Sequence, residues 1–199
     1  MARLDAFVTG ALAGYAHGRD RPGQDGTSRL SPYLHFGCTH PRTVLERLGT
    51  APAAERFRTE LAWRDFYADV LWHRPESAHQ PLQPFGAHLR WDTGEEAQDR
   101  FRAWAEGRTG FPLVDAAMRQ LLAEGWVHNR ARMVAASFLV KDLHIDWRLG
   151  ARWYLWHLAS GRRPGVQPAR MAMGGGHRHR CRPFSPHLQP RNAEGALRR

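Results

Sequence analysis

The sequence predicts an all-α domain followed by a tail of different character. Apolar residues recur at helical spacing, most clearly at Leu113, Val114, Ala117, Met118, Leu121 and Leu122. No segment alternates apolar and polar residues over the length of a convincing strand. Gly and Pro divide the periodic segments into separate helices with short connections. At Gly161 the apolar period ends, and residues 162–199 are rich in Arg, Gly, Pro and His.

The predicted helices follow one another with recognisable start and stop signals. Ser31 is expected to cap the second helix with Pro32 at its first position, and Asp146 to cap the last. Gly125 is expected to stop the helix before it. Residues 18–26 are predicted to form a loop, and residues 74–98 are predicted to be mostly loop. The predicted helices cover residues 3–17, 32–36, 41–48, 53–73, 97–106, 112–124, 129–143 and 147–160.

Composition is that of a soluble protein. The chain has 199 residues, 42% of them hydrophobic, and a mean hydropathy of −0.58. No apolar run reaches the roughly 18–20 residues of a membrane span, and the N-terminus lacks a signal-peptide core, so we expect a cytoplasmic location. Cys38 and Cys181 are far apart and have no metal-binding spacing. The sequence therefore predicts neither a disulfide nor a metal site.

The net charge of +10 does not by itself indicate a nucleic-acid partner. Residues 161–199 hold nine Arg, no Lys and one Glu, whereas residues 1–160 hold 20 basic and 18 acidic residues. Most of the excess therefore belongs to the tail. All eight Trp lie between residues 63 and 156, which indicates either a large aromatic core or a site built from indole rings.

Two segments carry residues suited to ligand binding. Thr27 and Ser28, together with Ser31, precede a helix start and could hold a diphosphate or simply cap that helix. Glu60 and Arg64 share one helix face beside Trp63. From the residues alone, the commoner arrangement is a surface ion pair next to a core indole.

Six segments in order resemble the photolyase/cryptochrome family, and the resemblance covers about residues 12–160. The segments are Tyr15-x-x-x-Arg19-Asp20-x-Pro22, Gly26-Thr-Ser-Arg-Leu-Ser-Pro32-Tyr-Leu-x-Phe-Gly37, Glu60-Leu-Ala-Trp63-Arg64-Asp-Phe-Tyr67, Trp104-x-x-Gly-Arg-Thr-Gly-Phe-Pro-Leu-Val-Asp-Ala-Ala-Met-Arg119-Gln-Leu, Gly125-Trp-Val-His-Asn129-Arg-Ala-Arg132-Met and Ala136-Ser-Phe-Leu-Val-Lys-Asp-Leu-His-Ile-Asp146-Trp147-Arg. The resemblance implies most of a helical FAD-binding domain, residues 1–161, without the α/β antenna domain that precedes it in the family.

The resemblance also implies roles for individual residues. Trp91 and Trp147 match members of an electron relay of indoles, although Trp91 could instead be a loop aromatic. The lesion pocket would be formed by Glu60, Trp63 and Asn129. The implied FAD-binding residues are Tyr15, Thr27, Ser28, Arg29, Leu30, Ser31 and Arg132, and the implied DNA-binding residues are Arg19, Glu60, Trp63, Arg64, Tyr67 and Asn129.

The function implied by this resemblance is blue-light-driven repair of cyclobutane pyrimidine dimers with FAD, by a monomer that binds damaged DNA. One alternative is a cryptochrome photoreceptor of the same fold. A lesion pocket favours repair, because a photoreceptor has no need of one. A second alternative is the product of a non-functional pseudogene.

The sequence of residues 162–199 indicates a change of reading frame after about residue 161. The codons of Met171-Ala-Met173-Gly174, read one base forward, give Trp-x-Trp with Gln allowed at x, which matches the family's Gly-Trp-Gln-Trp segment. Residues 162–199 are therefore interpreted as an out-of-frame, disordered tail, with a genuine basic tail as the alternative. Because that family segment holds flavin contacts, we expect this chain to bind FAD weakly or not at all and to be inactive.

Overall fold

The computed structural model describes residues 1–83, 86 and 88–160. These residues are helical and contain no β-strand, which confirms the predicted all-α class. The predicted out-of-frame tail, 162–199, lies outside the described residues. The helices of the described part are α1 (Ala2–Thr9), α2 (Tyr15–Gly18), α3 (Ser31–His35), α4 (Pro41–Leu48), α5 (Glu55–His73), α6 (Glu95–Ala105), α7 (Pro112–Glu124), α8 (Asn129–Lys141) and α9 (Trp147–His157).

The predicted bounds are confirmed where Pro and Gly mark them. Helices α4 and α7 begin and end at the predicted residues, and Gly125 ends α7 in the left-handed conformation with φ 61°. Asp146 caps α9 as predicted, because its carboxylate accepts the backbone N–H of Arg148 at 2.9 Å. Helices α8 and α9 each stop two or three residues before the predicted end.

Two details of the first forty residues were predicted wrongly. The single helix expected over 3–17 is interrupted after Thr9, and the N–H of Leu12 bonds back to the carbonyl of Phe7, five residues earlier. Gly10 and Gly14 lie in this interruption, where their low helix propensity makes the break inexpensive. Ser31 is the first residue of α3 and not its cap; its side chain makes no capping hydrogen bond.

The N-terminal core is formed by α1–α5. Despite the interruption after α1, the apolar stripe stays buried, and Phe7, Tyr15 and Phe57 pack ring against ring with centroids 4.7–5.7 Å apart. Such aromatic contacts add to the burial of apolar area. The other buried members of this core are Leu4, Leu12, Leu30, Val44, Leu48, Ala54 and Leu61.

The C-terminal core is formed by α6–α9 and contains two of the tryptophans. Trp104 is completely buried, and its indole N–H donates to the carbonyl of Ala135 at 2.9 Å. Trp147 is buried in the same core, whereas Trp72 and Trp156 are 82% and 76% exposed. Trp104 and Trp147 therefore fill the core, which is one of the two roles that the sequence left open, whereas Trp72 and Trp156 lie on the surface.

The two cores meet across charged side chains. Arg130 Nε lies 2.7 Å from the Asp20 carboxylate, and Arg29 Nη1 lies 2.9 Å from that of Glu124. The guanidinium carbon of Arg29 lies 4.1 Å from the ring centroid of Trp126, a cation–π contact. We call these three contacts the junction. None of the described helices is long and apolar enough to cross a membrane.

Within the C-terminal core, Asp115 organises the turn that leads into α7. Its carboxylate accepts the N–H and hydroxyl of Thr109 at 2.8 and 2.6 Å and the N–H of Gly110 at 3.0 Å. Burial raises the pKa of Asp115, but these hydrogen bonds outweigh it and hold the pKa below its usual value. The ionised carboxylate is therefore part of the folded structure.

We predict that Asp115→Asn lowers the free energy of unfolding by about 1–3 kcal/mol, because an amide NH2 would face the N–H of Gly110 and leave it without an acceptor. Since the folded pKa lies below the unfolded value, the carboxylate contributes stability above about pH 4 that is lost as the pH falls through the folded pKa. Urea unfolding at pH 7 and pH 3 measures both effects. The control Asp65→Asn alters an exposed carboxylate and should change stability by less than about 0.5 kcal/mol; equal losses in both variants would contradict the role of Asp115.

Candidate functional site

A small cavity lies between the two cores, beside the junction. It is contributed by α2, the loop after α2, α5 and the start of α8, and its volume is about 40 Å³. A water molecule needs roughly 10–15 Å³, so the cavity admits a few polar atoms and not a whole dinucleotide. The lining residues are Tyr15, Arg19, Thr27, Glu60, His128, Asn129 and Arg130.

Arg19 and Glu60 form the ion pair on one side of this cavity. Arg19 Nη2 lies 2.7 Å from Glu60 Oε1, and the side chain of Arg19 is only 10% exposed. Arg64, one helical turn after Glu60, pairs with the neighbouring Asp65 at 2.9 Å and not with Glu60. The carboxylate on α5 is therefore directed toward α2 and the cavity.

Tyr15 lies beneath this ion pair, with its ring 5.8 Å from the Arg19 guanidinium. Burial, and secondarily the charge of Glu60, raises the pKa of Tyr15 to about 12. The phenol is therefore protonated at neutral pH, and its hydroxyl can donate a hydrogen bond.

His128 caps α8 and lines the cavity. Its Nδ1 accepts the backbone N–H of Arg130 at 3.1 Å, so the ring hydrogen of the neutral imidazole is on Nε2. The residue is 2% exposed, and Nε2 has no hydrogen-bond partner among the described residues. Burial lowers the pKa of His128, and Arg130 and Arg29 lower it further against the opposing charge of Asp20. The imidazole is therefore neutral at pH 7.

The loop before α3, expected to hold a diphosphate, reaches the cavity with Thr27 alone. Ser28 is buried, and its hydroxyl oxygen accepts the N–H of Leu30 at 3.4 Å. Arg29 has φ 50° and directs its guanidinium across the junction to Glu124 and Trp126. Leu30 is part of the N-terminal core and Ser31 is exposed.

The start of α8 supplies the polar residues on the opposite side. Arg132 Nη2 donates to Asn129 Oδ1 at 2.9 Å, and the Asn129 amide nitrogen lies 3.6 Å from the sulfur of Met133. Asn129 thus lines the cavity with its orientation set by Arg132, which is the residue expected to face the flavin.

The remaining predicted residues lie in two other places. Trp63 and Tyr67 stack on the outer part of α5 with ring centroids 5.9 Å apart, and Phe66 packs edge-on against both. Trp147 is buried in the C-terminal core, and Trp91 packs against that core. The structure therefore brings five predicted residues to one cavity, namely Tyr15, Arg19, Thr27, Glu60 and Asn129.

Sequence reasoning missed His128 and Arg130. Both lie in one of the segments that carry the resemblance. His128 directly precedes Asn129, and Arg130 lies between Asn129 and Arg132. The available sequence signal is a His immediately before the predicted helix start at Asn129, because a ring nitrogen at that position can accept a backbone N–H of the first turn.

The cavity is chemically suited to a phosphate-bearing ligand such as FAD. The donors are a phenol, a hydroxyl, two guanidinium groups and the imidazole N–H of His128, which has no partner among the described residues. The two guanidinium groups are paired with the carboxylates of Glu60 and Asp20. Phosphate oxygens are the complementary acceptors. The donors around the cavity thus fit the cofactor that the sequence predicted, with the ligand extending beyond the cavity.

Comparison with known proteins identifies relatives across most of the chain. The sequence profile described as the FAD binding domain of DNA photolyase matches residues 57–195. A deoxyribodipyrimidine photo-lyase of Alkalihalophilus pseudofirmus is 47% identical over 156 residues, which are 76% of this chain and 32% of the relative. The chain spans about a third of the length of the curated relatives it matches.

Solved structures show the same fold. A bacterial class III photolyase from Agrobacterium tumefaciens superposes with a TM-score of 0.85 at 37% identity, over 98% of this chain and 42% of that one. A cryptochrome from Synechocystis gives a TM-score of 0.69 at 29% identity, over 89% and 40% of the two chains.

We predict that Glu60→Gln lowers the free energy of unfolding by about 1–3 kcal/mol, because it leaves the largely buried guanidinium of Arg19 beside a neutral partner. The same substitution at Glu55, on the same helix, removes an exposed pair with Arg58 and should cost less than about 0.5 kcal/mol. Chemical denaturation of the two variants makes the comparison. A loss at Glu55 as large as that at Glu60 would show that the pair with Arg19 has no special role.

Proposed function

Since this chain belongs to the family of the FAD binding domain of DNA photolyase, we propose that it is the cofactor-binding part of an enzyme that repairs cyclobutane pyrimidine dimers in DNA with FAD and blue light. The observation that supports this most directly is the meeting of Glu60 and Asn129, from α5 and α8, at one donor-rich cavity. These are the two polar residues that the resemblance assigns to a lesion pocket.

In this proposal the chain's own residues bind and orient. Thr27 and the buried Tyr15 offer hydroxyl donors to the cofactor side of the cavity, and Arg132 orients Asn129. Glu60 would accept hydrogen bonds from the edge of a flipped base, and Trp63 would stack against that base. FAD supplies, when bound, light-driven electron-transfer chemistry.

DNA binding would require exchange of partners at the cavity. Glu60 is paired with Arg19, so a lesion base that binds the carboxylate must replace or share that guanidinium. Arg19, once released, would be available to a DNA phosphate. Arg64 and Tyr67 lie further along α5, where they would contact the strand on either side of the lesion.

Trp91 and Trp147 are proposed as the electron relay. Trp147 is buried and Trp91 is partly exposed, both on the C-terminal core, which is the order of burial that a path from the surface to a buried cofactor needs.

A cryptochrome photoreceptor is the second candidate, favoured by the structural likeness to the Synechocystis protein. It shares the fold and the cofactor but needs no lesion pocket, so binding of damaged DNA distinguishes the two. We further propose that the protein acts in the cytoplasm as a monomer and takes damaged DNA as its partner.

We predict that the 199-residue chain binds FAD weakly or not at all and splits dimers at a rate orders of magnitude below that of a full-length relative. The reason is that part of the flavin-binding segment is replaced by an out-of-frame tail in our interpretation. Flavin fluorescence titration and a dimer-repair assay under blue light measure both properties. Tight, stoichiometric FAD together with light-dependent repair would contradict this expectation.

Restoring the reading frame after Gly161 should restore both FAD binding and repair. In that protein, Trp63→Ala should weaken lesion binding by roughly 1–3 kcal/mol, the value of one base–aromatic stack, and leave flavin photoreduction intact. Trp147→Phe should slow photoreduction and leave lesion binding unchanged. Identical phenotypes for the two substitutions would refute the division into a stacking and a relay tryptophan.

A further inference from the structure

His128 presents a feature that the proposed roles leave unexplained. Its imidazole is buried at the cavity, and the Nε2 hydrogen has no acceptor among the described residues. Buried donors in folded proteins almost always have a partner, because an unmade hydrogen bond is costly. The ring cannot rotate to satisfy Nε2 without losing the hydrogen bond from Arg130 N–H to Nδ1.

The surroundings of Nε2 indicate which kind of partner is missing. The carboxylate of Glu60 is engaged by Arg19, and the side-chain oxygen of Asn129 is engaged by Arg132, so neither is an unoccupied acceptor. The guanidinium groups of Arg19 and Arg130 are paired with the carboxylates of Glu60 and Asp20. Tyr15 and Thr27 add hydroxyl groups to the lining, and Thr27 belongs to the loop expected to hold a diphosphate. A ligand that offers several acceptor oxygens complements this set.

We propose that the Nε2–H of His128 donates a hydrogen bond to an oxygen atom of a phosphate group bound in this cavity. The phosphate belongs either to the diphosphate of FAD or to the backbone of bound DNA. These two sources follow from the proposed function, on which this inference rests. The imidazole acts as a neutral donor fixed in direction by α8, so it adds no charge that would have to be desolvated before the ligand binds.

The chain contains a matched control for this proposal. His40 caps α4 in the same way, since its Nδ1 accepts the N–H of Arg42 at 3.2 Å, but it is exposed and is not among the residues that line the cavity. Asn is also a good helix cap, so His→Asn preserves the capping acceptor at either position. Only at residue 128 does the substitution remove a ring N–H that lies at the cavity.

The test compares the wild-type 199-residue chain with His128→Asn and His40→Asn by titration with ADP, FAD, adenosine and a single-stranded oligonucleotide at one salt concentration. We expect His128→Asn to raise the dissociation constant for a phosphate-bearing probe about 10- to 100-fold, the range of a charge-assisted hydrogen bond. Adenosine, which has no phosphate, should be unaffected, and His40→Asn should behave as wild type. Arginines of the tail are present in all three proteins, so the difference isolates residue 128.

The pattern across probes separates the sources and the possible failures. Weakening for ADP and FAD assigns the diphosphate, and weakening for the oligonucleotide alone assigns the DNA backbone. If FAD binds wild type and His128→Asn with equal affinity, and the oligonucleotide also binds both proteins with equal affinity, the inference is wrong while the proposed function stands. If ADP shows the loss but FAD does not bind, the inference stands, and the absence of FAD binding agrees with the expectation for this chain. Absence of any phosphate binding up to millimolar concentration would overturn the inference and leave water as the partner of Nε2.

Discussion

The junction is the constraint on which the site depends. Each core is apolar and complete in itself, but the two meet through Asp20–Arg130, Arg29–Glu124 and the Arg29–Trp126 contact. The carboxylates of Asp20 and Glu124 are 57% and 42% exposed, so each ion pair contributes little to stability by itself. The pairs join the segment after α2 to α7 and α8, and the polar cavity lies where these elements face each other.

This arrangement explains why the site residues come from distant parts of the sequence. Arg19 and Glu60 contribute from the N-terminal half, and His128 and Asn129 from the C-terminal half, so neither core forms the cavity alone. The dense polar environment also sets the protonation states, with a protonated Tyr15 and a neutral His128 both produced chiefly by burial. The result is a set of oriented donors, which is suited to hold phosphate and the polar edge of a base.

The sequence predicted the helices well where local chemistry decides their ends. Pro41 and Pro112 open helices, and Gly125 closes one, at the predicted residues. The interruption after Thr9 was missed because the apolar stripe continues through it, and tertiary packing keeps that stripe buried. At the site, helical spacing suggested Arg64 as the neighbour of Glu60, whereas the partner is Arg19, 41 residues away. Such a pairing follows from packing and is not encoded in local spacing. Packing also decides that Nε2 of His128 is buried without a partner among the described residues, which local spacing could not predict.

Amide hydrogen exchange tests most directly whether the cavity beside the junction is the ligand site. The protein with its reading frame restored after Gly161 is compared with and without FAD, and exchange is followed by mass spectrometry of its peptides. Residues 15–31 and 125–133 should become protected together, because the ligand contacts both sides of the junction, while α4 is unchanged. Protection confined to one of these segments, or located elsewhere with both unaffected, would show that the cavity is not the ligand site.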